Sequence, residues 1–433
     1  MNISKKNRPR EGISQVRGSF PVRLRIRLLV VGALLASALL VTAAAVSGNT
    51  QSQKFDGTIK FGAAMSVTGP LAAEAKTAKD GYDFIVSRIN KRGGIPVGKK
   101  HYKVKIVYYD DQSNANQSVQ LYEKLINEDK VDFLLGPYSS GVTLATSTVA
   151  EKYKIPMVVA HAATPSIYER NYHYLFGTLN TIDQYTEPLF KMAKAIKKDR
   201  PKTVAIMYEN ALAPSAFASS AAAQAKKYGF NVVYEQSFPQ GADFAPIMAA
   251  VKSKKPDIVL TGGYTLGMIS LVRQAAEQNV DVPLWMFMLG PTVPGFLSSV
   301  KRLGEYLLEP IQWAPNFNPR LKDEIFGWNA KQYAKLFRKQ MGYVPDYHPP
   351  QSSAALEVYY KAIKKAGTLD RAKVRNAIAK IHLRSFYGNV CFNKKGEEAC
   401  KSMGIAQVQG GKPVVVWPAR FAQRKLVYPA PGF

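Results

Sequence analysis

The chain has little sulfur, little imidazole and few acids for its size. Only two cysteines, Cys391 and Cys400, occur in 433 residues. That excludes a disulfide-dense scaffold and a zinc site built on several thiolates. The five histidines, His101, His161, His173, His348 and His382, fall at no metal-ligand spacing, and none stands at ligand distance from the cysteines in sequence. No G-x-S-x-G or H-E-x-x-H run occurs, so the signatures of a hydrolase elbow and a zinc protease are missing. Gly93–Lys100 almost spells a phosphate loop. It fails because Lys100 stands where the motif needs Ser or Thr, Pro96 removes an N–H, and the run follows a helical stretch. No metal and no cofactor are expected. Asp110-Asp111 closes a strand, where a turn role outweighs a metal site.

Acids number 31 against 59 lysines and arginines, a net charge of +28. A basic balance can mark nucleic-acid binding. Here cations and acids are interspersed, as in Glu123, Lys124, Glu128, Asp129 and Lys130, and no long basic run follows the amino-terminal segment. The charge reads as a solvated surface, with no nucleic-acid partner. Such a field speeds the capture of anions.

Residues 1–27 hold eight of the cations against Glu11 alone, and Leu28–Ala45 is apolar and Ala-rich, ending in Ala43-Ala44-Ala45. That order is a secretory signal, with cleavage expected near Val46 and a periplasmic address. The rival reading is a retained anchor, since about 18 apolar residues just span a bilayer. No cysteine near the run supports lipidation. Residues 1–50 are taken as signal and linker. Export permits a Cys391–Cys400 bridge across the turn Asn393-Lys394-Lys395-Gly396; the alternative is two free thiols.

At 433 residues, 46% of them apolar, the chain exceeds one ordinary domain. Strand patterns at Thr58–Met65, Tyr102–Tyr109, Val131–Leu135 and Pro156–Val159 alternate with helical ones at Leu71–Asn90 and Asn114–Asn127. Alternation means a parallel sheet with helices on both faces. After Phe176–Asp183 the rhythm restarts: helix Gln184–Lys198, strand Val204–Tyr208, helix Ser215–Tyr228, strand Val232–Gln236, helix Phe244–Lys254, strand Ile258–Thr261, helix Leu266–Gln278 and strand Leu284–Met288. Later helices are expected at Asp323–Met341, Gln351–Lys365 and Asp370–Ile381, and strands at Tyr387–Phe392, Ile405–Gln409 and Pro413–Trp417.

Two strand ends carry the functional signal. Val131–Leu135 runs into Gly136-Pro137-Tyr138-Ser139-Ser140-Gly141 and then a helix. A serine there can cap the helix. Alternatively, the free N–H groups of the first turn grip an external anion, with Gly141 letting it approach. The next strand, Pro156–Val159, ends in His161-Ala162-Ala163-Thr164-Pro165. In open α/β sheets ligands sit outside such carboxyl ends. Two neighbouring ends trimmed to small residues and hydroxyls suit a small polar molecule. His161 beside them suggests packing rather than catalysis.

These segments, with Thr68-Gly69-Pro70 and Asn90-Lys91-Arg92-Gly93-Gly94-Ile95, resemble the type I periplasmic substrate-binding proteins of ABC importers, in particular the Leu/Ile/Val-binding pattern of the branched-chain amino acid and amide group. The likeness runs from about Thr58 almost to the end. It implies an α/β fold of two lobes joined by a three-segment hinge, with lobe 1 at 58–181 plus 316–402 and lobe 2 at 182–315 plus 403–433. Ser140, Ala162 and Thr164 match the positions that hold an amino acid's head group, with Ser139, Gly141 and Ala163 adjacent. Tyr264, after Gly262-Gly263, matches the aromatic of the second lobe; otherwise it is a packing tyrosine. Two departures stand out. Thr292 follows Gly290-Pro291 where relatives often carry an acid for the ligand ammonium. Glu209-Asn210-Ala211 stands where an aromatic-Gly pair is common. Glu74 and Glu209 are candidate replacements for the acid, or else surface carboxylates.

The resemblance implies a monomeric solute-binding protein that delivers a small polar ligand to an inner-membrane ABC permease and turns nothing over. The alternative is an extracytoplasmic sensor on the same fold. Ser140→Ala and Thr164→Ala are expected to weaken binding with folding near normal.

Overall fold

Isoleucine, phenylalanine, alanine and methionine dominate Gly57–Met65, and its last five residues are all buried. A strand covered on both faces reads as a continuous apolar run. In the computed structural model, which describes residues 54–318 and 320–433, this segment is β1, near the middle of a six-stranded sheet. Its neighbours are β2 (Ile95–Val97), β3 (Lys100–Asp110), β4 (Phe133–Leu135), β5 (Met157–Val159) and β6 (Leu175–Gly177), in the order β2-β3-β1-β4-β5-β6. Only the β2–β3 pair is antiparallel. The glycine-rich turn expected at 91–100 therefore contains a short edge strand.

A second sheet holds β7 (Thr203–Glu209), β8 (Asn231–Phe238), β9 (Ile258–Gly262), β10 (Leu284–Phe287) and β11 (Leu308–Ile311), all parallel. The carboxyl-terminal strands β14 (Gly404–Val408) and β15 (Pro413–Trp417) add to β11 in antiparallel fashion, giving β15-β14-β11-β10-β9-β7-β8. Each sheet is thus parallel at its centre and antiparallel at one edge. The short turns joining β2 to β3 and β14 to β15 permit only that sense. Between β11 and β14 in sequence, β12 (His382–Ser385) and β13 (Gly388–Cys391) form a separate hairpin. Cys391 is bonded to Cys400, with Cα atoms 5.5 Å apart.

The first sheet is covered by α1 (Ala72–Lys91), α2 (Ala115–Asn127) and α3 (Ser140–Lys152), and by helices from late in the chain. Of these, α10 (His348–Ala366) follows α9 (Ala330–Met341) and lies against α1. Gly81 allows that approach: a Cβ there would sit 2.3 Å from the Pro349 carbonyl oxygen. Tyr359 stacks edge-on to Phe61 and donates its hydroxyl to the carbonyls of Leu134 and Pro156 at 2.7 Å each. Lobe 1 is therefore closed by residues 200 positions downstream of its strands.

Two expected helices are shorter. The one expected at 323–341 begins at Ala330, because the Asp323 carboxylate accepts the N–H groups of Ile325 and Phe326 at 2.7 Å and closes a turn. Asn329 then starts the helix with a reciprocal Gln332 cap. The helix expected at 184–198 is α4 (Glu187–Ala195), with Pro188 setting its first turn. The remaining helices are α5 (Leu212–Lys227), α6 (Ala245–Lys254), α7 (Thr265–Glu277) and α8 (Pro294–Val300) on the second sheet, and α11 (Arg371–Ala379). Residues 55–433 cluster as one compact unit. Among the described residues no helix is long and apolar enough to cross a membrane. The signal expected at 1–50 lies outside the described residues.

Candidate functional site

The elbow between β4 and α3 is strained. Ser139 has φ 78° and ψ 151°, a backbone region that a side chain rarely occupies. Its hydroxyl caps α3 by accepting the Val142 N–H at 3.4 Å. Ser140 does something else. Its Oγ accepts the N–H groups of Ala163 at 3.1 Å and Thr164 at 3.3 Å, tying the two strand ends together. Its own proton stays available to a third partner. Thr164 Oγ1 is buried and has no partner among the described residues.

The small residues behave differently from one another. The Ala162 carbonyl accepts the Tyr168 hydroxyl at 2.9 Å, and the Ala163 carbonyl accepts the Ile182 N–H at 2.8 Å. Both oxygens already serve the fold. Gly141 is exposed, with nothing within 4 Å of where a Cβ would stand, so the protein's own packing does not require glycine there.

A second group of residues joins the start of α1 to the second lobe. Glu74, in the first turn of α1, is fully buried, and its Oε1 accepts the Thr265 N–H at the start of α7 at 2.8 Å. Its Oε2 has no hydrogen-bond partner among the described residues. Burial pushes the Glu74 carboxyl above its usual range. Glu209, at the end of β7, accepts the Tyr264 N–H at 3.4 Å, and burial raises it too, with the Glu74 charge adding. Ser140, Ala163 and Thr164 thus form one bonded group, and Glu74 and Glu209 meet at the start of α7 through Thr265 and Tyr264.

Thr292 is differently occupied. Its N–H and hydroxyl both donate to the carboxylate of Glu309, at 2.7 and 2.9 Å. Glu309 lies fully buried on β11, and desolvation pushes its pKa up to about 8. An acid does therefore sit beside the Gly290-Pro291 turn, supplied by the next strand. Sequence reasoning missed it, although a glutamate inside the apolar run Leu307–Ile311 is a readable anomaly.

A second missed group lines the lobe 1 side. Asp346 Oδ2 lies 2.8 Å from His348 Nδ1, which leaves Nε2 to accept the Tyr138 hydroxyl at 3.3 Å. His161 is buried with Nε2 2.7 Å from Ser352 Oγ, and desolvation holds it well below the usual imidazole range. It is a neutral packing group. Asp110 and Asp111 serve the turn, accepting from Thr68, Gln112, Ser66 and Ser113. The His382 ring faces both cysteine sulfurs, a proximity invisible in sequence because the β12–β13 pairing creates it. Those sulfurs are joined in the disulfide, so they present no thiolate to a metal.

Three passes of the chain between the sheets are cross-tied. The Asn180 amide donates to the Lys401 carbonyl at 2.9 Å, and its N–H to Gln312 Oε1 at 3.4 Å. Gln312 also accepts the Tyr387 hydroxyl and donates to that of Tyr185, both at 2.7 Å.

Two α/β lobes with hydroxyls, a strained helix start and buried acids facing one another define a two-lobed binding protein. The family model described as periplasmic binding protein matches residues 58–412, and the chain belongs to that family. It is 26% identical over 364 residues to the leucine-, isoleucine-, valine-, threonine- and alanine-binding protein of Pseudomonas aeruginosa, covering 83% of this chain and 92% of that one. It is similar in structure to a branched-chain amino acid transporter substrate binding protein of Streptococcus pneumoniae in complex with isoleucine (TM-score 0.73, 21% identity, 83% of this chain and 100% of that one). It is equally similar to an ABC transporter solute binding protein of R. palustris in complex with benzoate (TM-score 0.71, 20% identity, 87% and 98%). The family is one of substrate-binding proteins.

Proposed function

We propose that the chain captures a small carboxylate-bearing solute, an amino acid or a close relative, between its lobes in the periplasm and delivers it to an ABC permease without altering it. The observation that carries this reading is the Glu74–Thr265 bond, which joins α1, in the lobe that carries Ser140 and Thr164, to the start of α7. The solute's carboxylate sits at the start of α3, where the helix dipole and the Ser140 and Thr164 hydroxyls favour an anion. The unpaired Glu74 oxygen, backed by Glu209, takes an N–H or ammonium of the solute. Tyr264 closes over it. Lobe 1 comprises 58–181 plus 316–402, and lobe 2 comprises 182–315 plus 403–433, hinged at the three passes tied by Gln312. A ligand that touches both lobes shifts the population toward the closed form.

The test is a thermal-shift and calorimetric screen of the exported chain against amino acids and organic acids. A true ligand at 100-fold its dissociation constant adds about 2.7 kcal/mol. Thr164→Val removes an unpaired hydroxyl and should cost binding while leaving the melting temperature of the free protein unchanged. If no carboxylate binds, or Thr164→Val binds as well as the parent, the reading is wrong. Mass spectrometry of the exported protein should show a chain beginning near Val46.

A further inference from the structure

The turn that follows β13 is built to keep its shape. The Asn393 N–H donates to the Glu397 carbonyl at 2.9 Å, and the Gly396 N–H to the Asn393 carbonyl at 3.0 Å. Phe392 pairs with Glu398 in an antiparallel bridge, and the Ala399 N–H donates back to the Cys391 carbonyl at 3.0 Å. The tip is pinned as well. The Gly396 carbonyl accepts the Gly177 N–H of β6 at 2.8 Å, and a Cβ on Gly396 would stand 2.2 Å from the Leu175 carbonyl oxygen. On the other side, β12 sets His382 directly opposite Cys391. The outcome is a cluster: a ring nitrogen of His382 and the sulfurs of Cys391 and Cys400 all lie within 4.8 Å of one another. His382 and Cys400 are exposed, and Cys391 is buried. Main-chain bonds gather these three side chains, so the gathering does not hang on the disulfide alone.

We propose that Cys391, Cys400 and His382 form a redox-gated metal site, which takes a thiophilic cation such as zinc(II) once the disulfide is reduced. A small thiol or dithiol supplies the two electrons: two R–SH become R–S–S–R, and Cys391 and Cys400 each gain a hydrogen. The cation then displaces one proton from each thiol to form two thiolate bonds, and the neutral imidazole donates a nitrogen lone pair. Two sulfurs and one nitrogen leave a fourth tetrahedral position for water. Softness chooses the cation, because thiolate with imidazole suits zinc(II) or copper(I), whereas magnesium and calcium want oxygen. Bond lengths of about 2.3 Å to sulfur and 2.0–2.1 Å to nitrogen place tetrahedral ligand atoms roughly 3.5–4 Å apart. A ring nitrogen no farther than 4.8 Å from either sulfur reaches that spacing by rotation of an exposed side chain. The metal then replaces the covalent bond as a cross-link, and the 391–400 loop stays closed in both redox states. Closure bears on the passes between the sheets: Lys401 follows Cys400 directly, and its carbonyl accepts the Asn180 amide. None of the three ligands belongs to the solute site proposed above, so the two readings stand or fall separately.

The experiment titrates the exported chain with zinc(II) and with cobalt(II), before and after reduction by a phosphine that is then removed without oxygen. The reduced parent should bind one equivalent of either ion, and cobalt(II) should show a thiolate-to-metal charge-transfer band. Zinc(II) should also raise the melting temperature of the reduced chain and shield both thiols from alkylation. The oxidised parent should show neither the band nor the shift. His382→Ala, an exposed position, should keep the fold and the disulfide yet weaken metal binding by the reduced chain about tenfold or more. Circular dichroism of each reduced protein without metal reports whether the ladder holds. No band with the reduced parent, equal metal binding by the oxidised parent, or undiminished affinity in His382→Ala overturns the proposal and leaves an ordinary structural disulfide with a bystander imidazole. Loss of the native spectrum on reduction overturns it too, because the main chain would then not gather the ligands.

Discussion

Replacing Glu309 with glutamine isolates a single buried proton. Glu309 sits at 0% exposure with both oxygens accepting from Thr292. Burial raises its pKa in the folded protein to about 8, from an ordinary value of 4.5. For an acid shifted upward, the folded state holds a proton that the unfolded state has lost. The associated stability is complete below about pH 4.5 and is lost as pH rises toward the folded value. One such group changes stability by at most about 1.4 kcal/mol per pH unit. Between pH 6 and 8 it accounts for a loss of about 2 kcal/mol in the parent. Glutamine mimics the protonated acid: its carbonyl can accept the Thr292 N–H and its amide can donate to the Thr292 hydroxyl. Glu309→Gln should therefore match the parent near pH 5 and exceed it by about 3.5 kcal/mol at pH 8. Urea unfolding at pH 5, 6, 7 and 8 reads this out, since the other raised acids are common to both proteins. Parallel stability-versus-pH curves for the two proteins refute the assignment of a protonated Glu309.

Ser140→Ala strips the acceptor from two buried amides, so it should cost about 1–3 kcal/mol of stability as well as ligand affinity. The near-normal folding expected from sequence for that change does not survive the Ala163 and Thr164 contacts. Urea melts of Ser140→Ala and Thr164→Val side by side should separate a structural hydroxyl from a free one. Cys391→Ser with Cys400→Ser opens a nine-residue separation and should cost about 2–3 kcal/mol in chemical unfolding, on the loop-entropy model. Gln312→Ala leaves the Tyr185 and Tyr387 hydroxyls and the Asn180 N–H without a shared partner. A scattering curve of the ligand-free variant should show a wider spread of lobe orientations than the parent, and an identical curve would remove Gln312 from the hinge.

Much of the architecture was readable because it is local. Strand and helix periods announce β1, β3, β4 and β5, and the Gly-Pro turn marks the elbow at Ser139 and Ser140. What stayed hidden depends on neighbours set by topology. Glu309 gains its meaning only because β11 lies beside β10 and the turn that carries Thr292. Asp346, His348 and Tyr347 belong to a segment that returns to lobe 1 after more than a hundred residues in lobe 2, and no local pattern states where it docks. His382 meets the cysteines only through hairpin register. The edge strands β14 and β15 follow an alternation that sequence can see, but their antiparallel sense comes from the short turn between them.

The threading of the chain also sets a timetable. Lobe 1 awaits Tyr359 to cover Phe61 and Phe133, and lobe 2 awaits residues 404–417 to finish its sheet. A polypeptide still in synthesis thus holds two incomplete cores, one until Tyr359 has been added and the other until residues 404–417 follow.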